Sequence, residues 1–149
     1  MRLVLQRVNH ASVDIEGRPS VSIGKGILVF IGIGKEDGPE DVRWCTSKIL
    51  SVRLFSDPQK KMNRSIVEAN GEILVVSQFT LYGNCRQGTR PDFGDAAPPE
   101  KAKELYEAFV AELEKGNVSI KTGIFQAHMN VVLENDGPVT LLVDSKKTF

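Results

Sequence analysis

Histidine and cysteine are scarce in this chain, and each scarcity removes a class of chemistry. The 149 residues include two histidines (His10 and His128), two cysteines (Cys45 and Cys85) and a single tryptophan. No CxxC, HxxxH or HExxH spacing occurs, so neither a zinc site nor a dithiol redox centre is expected. Cys45 reads as a helix core residue and Cys85 as part of a polar loop; both are expected as free thiols. Excess charge is also lacking. Nineteen basic side chains balance nineteen acidic ones, so no overall field draws the chain to nucleic acid, and any RNA contact must be local. No DNA partner is expected. The longest apolar run, Ile27 to Ile33, is far too short to cross a bilayer. The opening Met1-Arg2-Leu3-Val4-Leu5-Gln6-Arg7 is broken by polar residues and has no small-residue cleavage site, so no signal peptide is expected. A cytoplasmic protein without a membrane partner follows as the expectation, as does the absence of any cofactor.

What is present is ordinary globular composition, 41% hydrophobic and 26% charged, in a length that suits one compact domain over 1–149. No repeat, low-complexity tract or linker interrupts it. Leu3, Leu5 and Val8, then Ser12 to Ile15 and Ser20 to Ile23, alternate as strands around the turn Glu16-Gly17-Arg18-Pro19. Gly26 to Gly34 is a continuous apolar, β-branched run, as in a strand buried on both faces. Its glycines fit neither GxGxxG nor GxxxxGK[ST], so close backbone packing is preferred to a phosphate loop. Asp37-Gly38-Pro39-Glu40-Asp41 starts a helix with Val42, Cys45 and Ile49 facing inwards. A short strand at Val52 to Phe55 leads to a basic loop, Lys60 to Arg64. Asn70-Gly71 signals a type I′ hairpin folding Ser65 to Ala69 against a strand from Ile73 to Tyr82. Gly83 to Ala97 is long and irregular, which often marks function. Pro98-Pro99-Glu100 opens a second helix striped by Ala102, Leu105, Tyr106, Phe109 and Leu113, with Gly116 at its stop. Strands over Val118 to Phe125, His128 to Leu133 and Thr140 to Val143 complete the chain, the last two joined by a turn at Gly137-Pro138. The fold class predicted is α+β: a largely antiparallel, barrel-like sheet with two main helices in a single domain.

Two segments hold polar residues or backbone punctuation where a plain strand has no use for them: Ser77-Gln78-Phe79-Thr80 and Gly137-Pro138-Val139-Thr140. As strand, the first sets Ser77 and Phe79 on one face and Gln78 and Thr80 on the other. A hydroxyl nucleophile needs a base within reach, and neither Ser77 nor Thr80 has a histidine or acid beside it in sequence. Core-edge hydroxyls bonded to backbone are the simpler reading from the residues alone. Phe125 and Met129 fall four apart, either as core or as an apolar platform for a flat ring, with His128 pointing the other way. Gly137-Pro138 is by default a trans turn, since only about 5–6% of X-Pro bonds in folded proteins are cis.

These segments resemble the D-aminoacyl-tRNA deacylases. The likeness extends to Met1 to Val8, Lys61-Met62-Asn63, Gly88-Thr89-Arg90-Pro91-Asp92-Phe93 and Phe125-Gln126-Ala127-His128-Met129. The resemblance implies a metal-free homodimer that hydrolyses the ester between a D-amino acid and the 3′-terminal ribose of tRNA, and also glycine mischarged on tRNA. It implies that Ser77, Gln78, Phe79 and Thr80 line the catalytic pocket, with main-chain N–H groups polarising the ester carbonyl. It implies a cis Gly137-Pro138 bond reaching into the partner subunit and excluding L side chains, with Arg7 packed against it. Phe125 and Met129 would hold the terminal adenine, and Lys61, Arg64, Arg86 and Arg90 are candidate phosphate contacts. A 2′-hydroxyl of the substrate itself would replace the missing base. Two other readings remain open: a tRNA-end binding module akin to the editing domain of some threonyl-tRNA synthetases, and a structural dimer with an inert pocket.

Overall fold

A computed structural model describes residues 1–148. Its organising element is a single long strand, β1 (Arg2–Asp14), to which three others bind antiparallel: β2 (Val21–Ile23), β3 (Gly26–Gly32) and β8 (Asn130–Asp144). Beyond β3 the sheet turns parallel, adding β6 (Glu72–Ser77) and then β7 (Ser119–Thr122). A separate small hairpin joins β4 (Phe55–Ser56) to β5 (Met62–Arg64). Two helices, α1 (Pro39–Ser51) and α2 (Pro99–Glu114), complete the barrel-like α+β fold that the sequence predicts. No helix among the described residues is long and apolar enough to cross a membrane.

Both faces of β3 are buried, as its unbroken apolar run requires. Ile27, Val29 and Ile31 join one core cluster with Cys45, Ile49, Phe109 and Leu113 from the helices. Leu28 points the other way, into a second cluster with Val8, Ala11, Val13, Leu74 and Val76. Burying a side chain of this size contributes roughly 1.5–3 kcal/mol, so the helical layer is held by its apolar stripe more than by its caps. Gly38 still contributes at the start of α1, where its N–H donates to Asp41 Oδ2 at 2.9 Å.

Several local expectations change. Ile73 to Tyr82 is not one strand: β6 ends at Ser77, and Phe79–Tyr82 forms a 3-10 helix. The turn closes because the Gln78 N–H donates to Ile31 O at 2.7 Å while Leu81 N–H donates back to Gln78 O at 3.2 Å. Hence Ser77 to Thr80 do not alternate across a sheet. Asn70-Gly71 does not make a hairpin either. Asn70 has the expected left-handed backbone, φ +50°, but Ser65 to Ala69 curl into turns, with Ala69 N–H donating to Ser65 O and Gly71 N–H to Ile66 O. The basic segment Lys60 to Arg64 is half strand, since Met62–Arg64 pairs with Phe55 and Ser56. The strand expected over Val118 to Phe125 is confined to Ser119–Thr122. The two expected C-terminal strands are one, β8, carrying an outward excursion rather than a simple turn. Val8 pairs with Asn135 and Gln6 with Thr140, so Asp136 to Val139 stand opposite Arg7 alone.

Candidate functional site

At the end of β6 the chain opens a cavity of about 660 Å³. Its floor is Ile31, Ile33, Val76 and Val131; one wall is Ser77, Gln78 and Phe79; another is Phe93, Ala96, Ala97, Pro99 and Ala102; the third is the segment from Phe125 to Met129. Phe125 to Met129 is a turn between β7 and β8, not a strand, and the Gln126 backbone is left-handed at φ +63°. For that reason His128 does not point away, as strand alternation predicts; it lines the cavity together with Phe125 and Met129. Phe125 leans on Tyr106 of α2 with ring centroids 5.6 Å apart.

The Phe79–Tyr82 turn is held by contacts to β1 and to the segment that follows β3. The Arg2 guanidinium donates to Leu81 O at 3.1 Å and lies 4.5 Å from the centre of the Tyr82 ring. Tyr82 Oη donates to Asp37 Oδ2 at 3.2 Å, and the same carboxylate oxygen accepts the Gly34 N–H at 2.7 Å. Gly34 in turn bridges to Ala96 on the facing wall. One buried carboxylate thus links the end of the 3-10 helix to the segment that follows β3. The Met1 ammonium also donates to Asp37, at 2.6 Å from Oδ1. Burial, followed by the adjacent Asp37 charge, pushes the Tyr82 phenol well above its ordinary range and keeps it a neutral donor. Asp37 and Tyr82 carried no motif by which the sequence could single them out.

Thr80, expected in the pocket with Ser77, Gln78 and Phe79, is not among the lining residues; it is exposed, and its hydroxyl accepts from the Gln78 side-chain amide. Among the described residues no histidine or carboxylate hydrogen-bonds to Ser77 or Thr80, so neither hydroxyl has the adjacent base that a side-chain nucleophile needs. Phe79 is 59% exposed and meets Phe93 edge-on, with centroids 5.2 Å apart. Among the described residues there is no cluster of three or more His, Cys, Asp or Glu side chains able to hold a metal.

The second segment lies elsewhere. The Gly137–Pro138 peptide bond is cis, as the resemblance implies. Asn135 closes the neck of the excursion, its side-chain amide donating to Arg7 O at 2.8 Å and Val139 O at 3.1 Å. Val139 anchors it in the core. Arg7, itself buried, donates to Leu54 O and sets its Nε 2.8 Å from Asp136 Oδ2, close enough for an ion pair but off the line of a hydrogen bond. Gly137 and Pro138 are left at the tip and exposed; a Cβ added to Gly137 would meet nothing within 4 Å. Neither Gly137 nor Pro138 is among the residues that line the cavity of its own chain. Lys61 and Arg64 lie on the β4–β5 hairpin and its approach; Arg86 and Arg90 are exposed on the Gly83 to Ala97 segment. None of the four lines the cavity.

Fold and cavity together define a class: a small barrel-like α+β protein with a pocket free of Lys, Arg, Asp and Glu and lined by Phe79, Phe93, Phe125 and Met129 beside Ser77 and Gln78. The chain belongs to the family whose model is described as D-Tyr-tRNA(Tyr) deacylase, which matches residues 4–144. D-aminoacyl-tRNA deacylases of Thermosipho africanus and Thermosipho melanesiensis are 52% and 55% identical to it, over the full length of both chains in each case. A solved structure named c-Myc DNA Unwinding Element Binding Protein superposes with a TM-score of 0.90 at 40% identity, covering 97% of this chain and 98% of that one. A structure of a probable eukaryotic D-amino acid tRNA deacylase superposes at 0.82 with 19% identity, covering 95% and 97%, a likeness of fold.

Proposed function

We propose that this protein is a D-aminoacyl-tRNA deacylase: it hydrolyses the ester that joins a D-amino acid to the terminal ribose of tRNA and releases the free amino acid and the tRNA. The observation that carries the reading is the uncharged cavity walled by Ser77 to Phe79 and by Phe125 to Met129, in a chain of the deacylase family. Phe125 and Met129 hold the terminal adenine. Main-chain N–H groups of the Ser77 to Thr80 segment receive the negative charge that develops on the carbonyl oxygen as water adds to it; one such donor is worth about 10²–10³ in rate. The C–O bond to the ribose then breaks, and the ribose oxygen takes a proton. Since Ser77 and Thr80 lack a neighbouring base, the 2′-hydroxyl of the substrate acts as the proton relay, and the protein supplies position and charge stabilisation. Glycine esters pass because glycine has no side chain to reject.

The chiral check comes from a second copy of the chain. In this reading the enzyme is a cytoplasmic homodimer, and the Gly137-Pro138 tip enters the partner's cavity, where a main-chain carbonyl meets the substrate amine and leaves no room for an L side chain. The support is geometric: the tip is exposed, braced by Arg7 and Asn135, and outside the lining of its own cavity.

Ester loss from D- and L-tyrosyl-tRNA tests the activity. Rapid loss of the D ester alone is expected; equal loss of both, or of neither, rejects it. Thr80→Ala is expected to retain turnover, with a drop of about tenfold or less for a lost positioning contact. Abolished turnover with intact tRNA binding would make Thr80 the nucleophile instead. A 2′-deoxy substrate is expected to react much more slowly, and full activity on it would remove the relay.

A further inference from the structure

The main-chain N–H groups on which the deacylase reading relies have little local structure to hold them. Phe79–Tyr82 is a single 3-10 turn with no side-chain cap, and such turns have weak internal hydrogen bonds. Among the described residues, the N–H groups of Phe79 and Thr80 donate to no acceptor. Burial does not fix them either, since both side chains are exposed. The turn is therefore held from its two ends. At its start, the Gln78 N–H donates to Ile31 O at 2.7 Å. At its finish, Tyr82 is buried and its hydroxyl donates to Asp37 Oδ2 at 3.2 Å.

Asp37 is only 3% exposed, and every contact it makes holds it in place. Oδ2 also accepts the Gly34 N–H at 2.7 Å, Oδ1 accepts the Met1 ammonium at 2.6 Å, and Lys146 Nζ stands 3.9 Å from Oδ1. Two cations thus offset the cost of burying the carboxylate. An ionised acceptor makes a hydroxyl bond roughly twice as strong as a neutral one. Burial and the Asp37 charge both favour the neutral phenol, so Tyr82 keeps its proton and remains the donor.

We infer that Asp37, acting through Tyr82, is a positioning residue for the hydrolysis: it fixes the finish of the 3-10 turn, and with it the Phe79 and Thr80 N–H groups that meet the carbonyl oxygen. The inference rests on the deacylase reading and adds to it two residues that stand outside the cavity lining. A reacting geometry displaced by about 1 Å costs on the order of 10²-fold in rate. Binding of the terminal nucleoside at Phe125 and Met129 does not pass through the turn. Loss of the Tyr82–Asp37 bond therefore lowers kcat and spares KM, the pattern of a contact that acts only in the transition state.

The test measures kcat, KM and the unfolding midpoint of the intact protein with D-tyrosyl-tRNA. Tyr82→Phe keeps the ring and removes only the hydroxyl. It is expected to lower kcat about ten- to a hundredfold, with KM within about threefold. Thr46→Val is the comparison, because it also removes a buried hydroxyl, one that donates to Val42 O at 2.9 Å inside α1. Its kcat is expected to stay within about twofold, since that bond touches nothing that holds the turn. Asp37→Asn offers one acceptor oxygen in place of two and is expected to lower kcat at least as far as Tyr82→Phe. The double variant should fall no further than Asp37→Asn, since both changes break one bond. A Tyr82→Phe kcat within about twofold of the unmodified value, or a loss confined to KM, overturns the inference. So does an equal loss in Thr46→Val, which would trace the effect to stability, and so do losses that multiply in the double variant. If Asp37→Asn does not fold, Tyr82→Phe and Thr46→Val decide between them. In all these outcomes the unmodified protein cleaves the D ester and the deacylase reading stands. If it cleaves no D ester, that reading is lost and the inference with it.

Discussion

At the residue scale the most telling positions are two glycines. Gly32 and Gly34 invite a phosphate-loop reading in the sequence, and spacing alone argues instead for close packing. The structure names what is packed. A Cβ at Gly34 would lie 2.6 Å from Tyr82 Oη, and one at Gly32 would lie 2.9 Å from Leu81 Cβ and 3.0 Å from Gln78 O. These bare positions let the 3-10 helix fold down on β3, which is why a segment with the apolar pattern of a strand stops being one at Ser77. The requirement was visible as glycine; its partner was not, because Tyr82 is 48 positions away from Gly34 in sequence. Gly34→Ala should push the Tyr82 ring from Asp37 and cost about 1–3 kcal/mol, typical of overpacking. Trimming the ring should relieve it. The double variant Gly34→Ala with Tyr82→Ala is therefore expected to lose at least about 1 kcal/mol less than the sum of the two single losses, as measured by urea unfolding. Strict additivity would show that the two residues do not oppose each other.

At the element scale, the helices were legible and the sheet was only partly so. Pro39 with Glu40 and Asp41, and Pro99 with Glu100, mark helix starts by local physics alone, and both helices begin at those prolines. Strand partners are chosen by distant residues, so nothing local in Glu72 to Ser77 announces that it runs parallel to β3. The clue that misled, Asn70-Gly71, does produce a left-handed backbone but spends it on a compact turn over Ile66; a Cβ on Gly71 would sit 2.4 Å from Ile66 Cδ1. The entry to β6 is fixed instead by Glu72. The Gly24 N–H donates to its Oε2 at 2.6 Å and Lys121 Nζ stands 3.4 Å from Oε1. The Gly24 bond first, and then the Lys121 charge, hold the Glu72 carboxyl below its usual range. A carboxylate whose folded pKa is depressed binds its proton first in the unfolded chain. Its contribution is thus complete above the unfolded value of 4.5 and is lost as pH falls through the lower folded value. Glu72→Gln, which keeps an acceptor but not the charge, should cost about 0.5–1 kcal/mol at pH 7, discounted for partial exposure, and less at pH 3. An equal cost at both pH values in urea unfolding would refute the linkage.

For the whole molecule, the decisive fact is that the two motif segments stand on different parts of one chain. Each was legible as an anomaly, and the resemblance paired them, but only the structure shows the exposed Gly137-Pro138 tip outside the lining of its own chain's cavity. A site completed by a second copy makes a prediction that a site within one chain does not. Gly137→Val should leave each chain folded, because a side chain there meets nothing within 4 Å in its own chain. The unfolding midpoint should stay within about 2 °C, as for surface changes worth under about 0.5 kcal/mol, while the valine blocks the cavity of the partner and abolishes turnover. Ala127→Trp, at a half-buried cavity wall position, should instead block its own cavity. Take the two inactive variants, unfold and refold them together, and mixed pairs form. In a mixed pair across a shared site, one cavity carries both defects and the other carries neither. With random pairing half of the molecules are mixed, and each has one intact site of two, so about a quarter of the unmodified activity should return. If cavity and tip served the same chain, every chain would carry one defect and no activity would return. Silence after co-refolding, with mixed pairs demonstrated by mass, would place the Gly137-Pro138 tip outside the partner's reaction site.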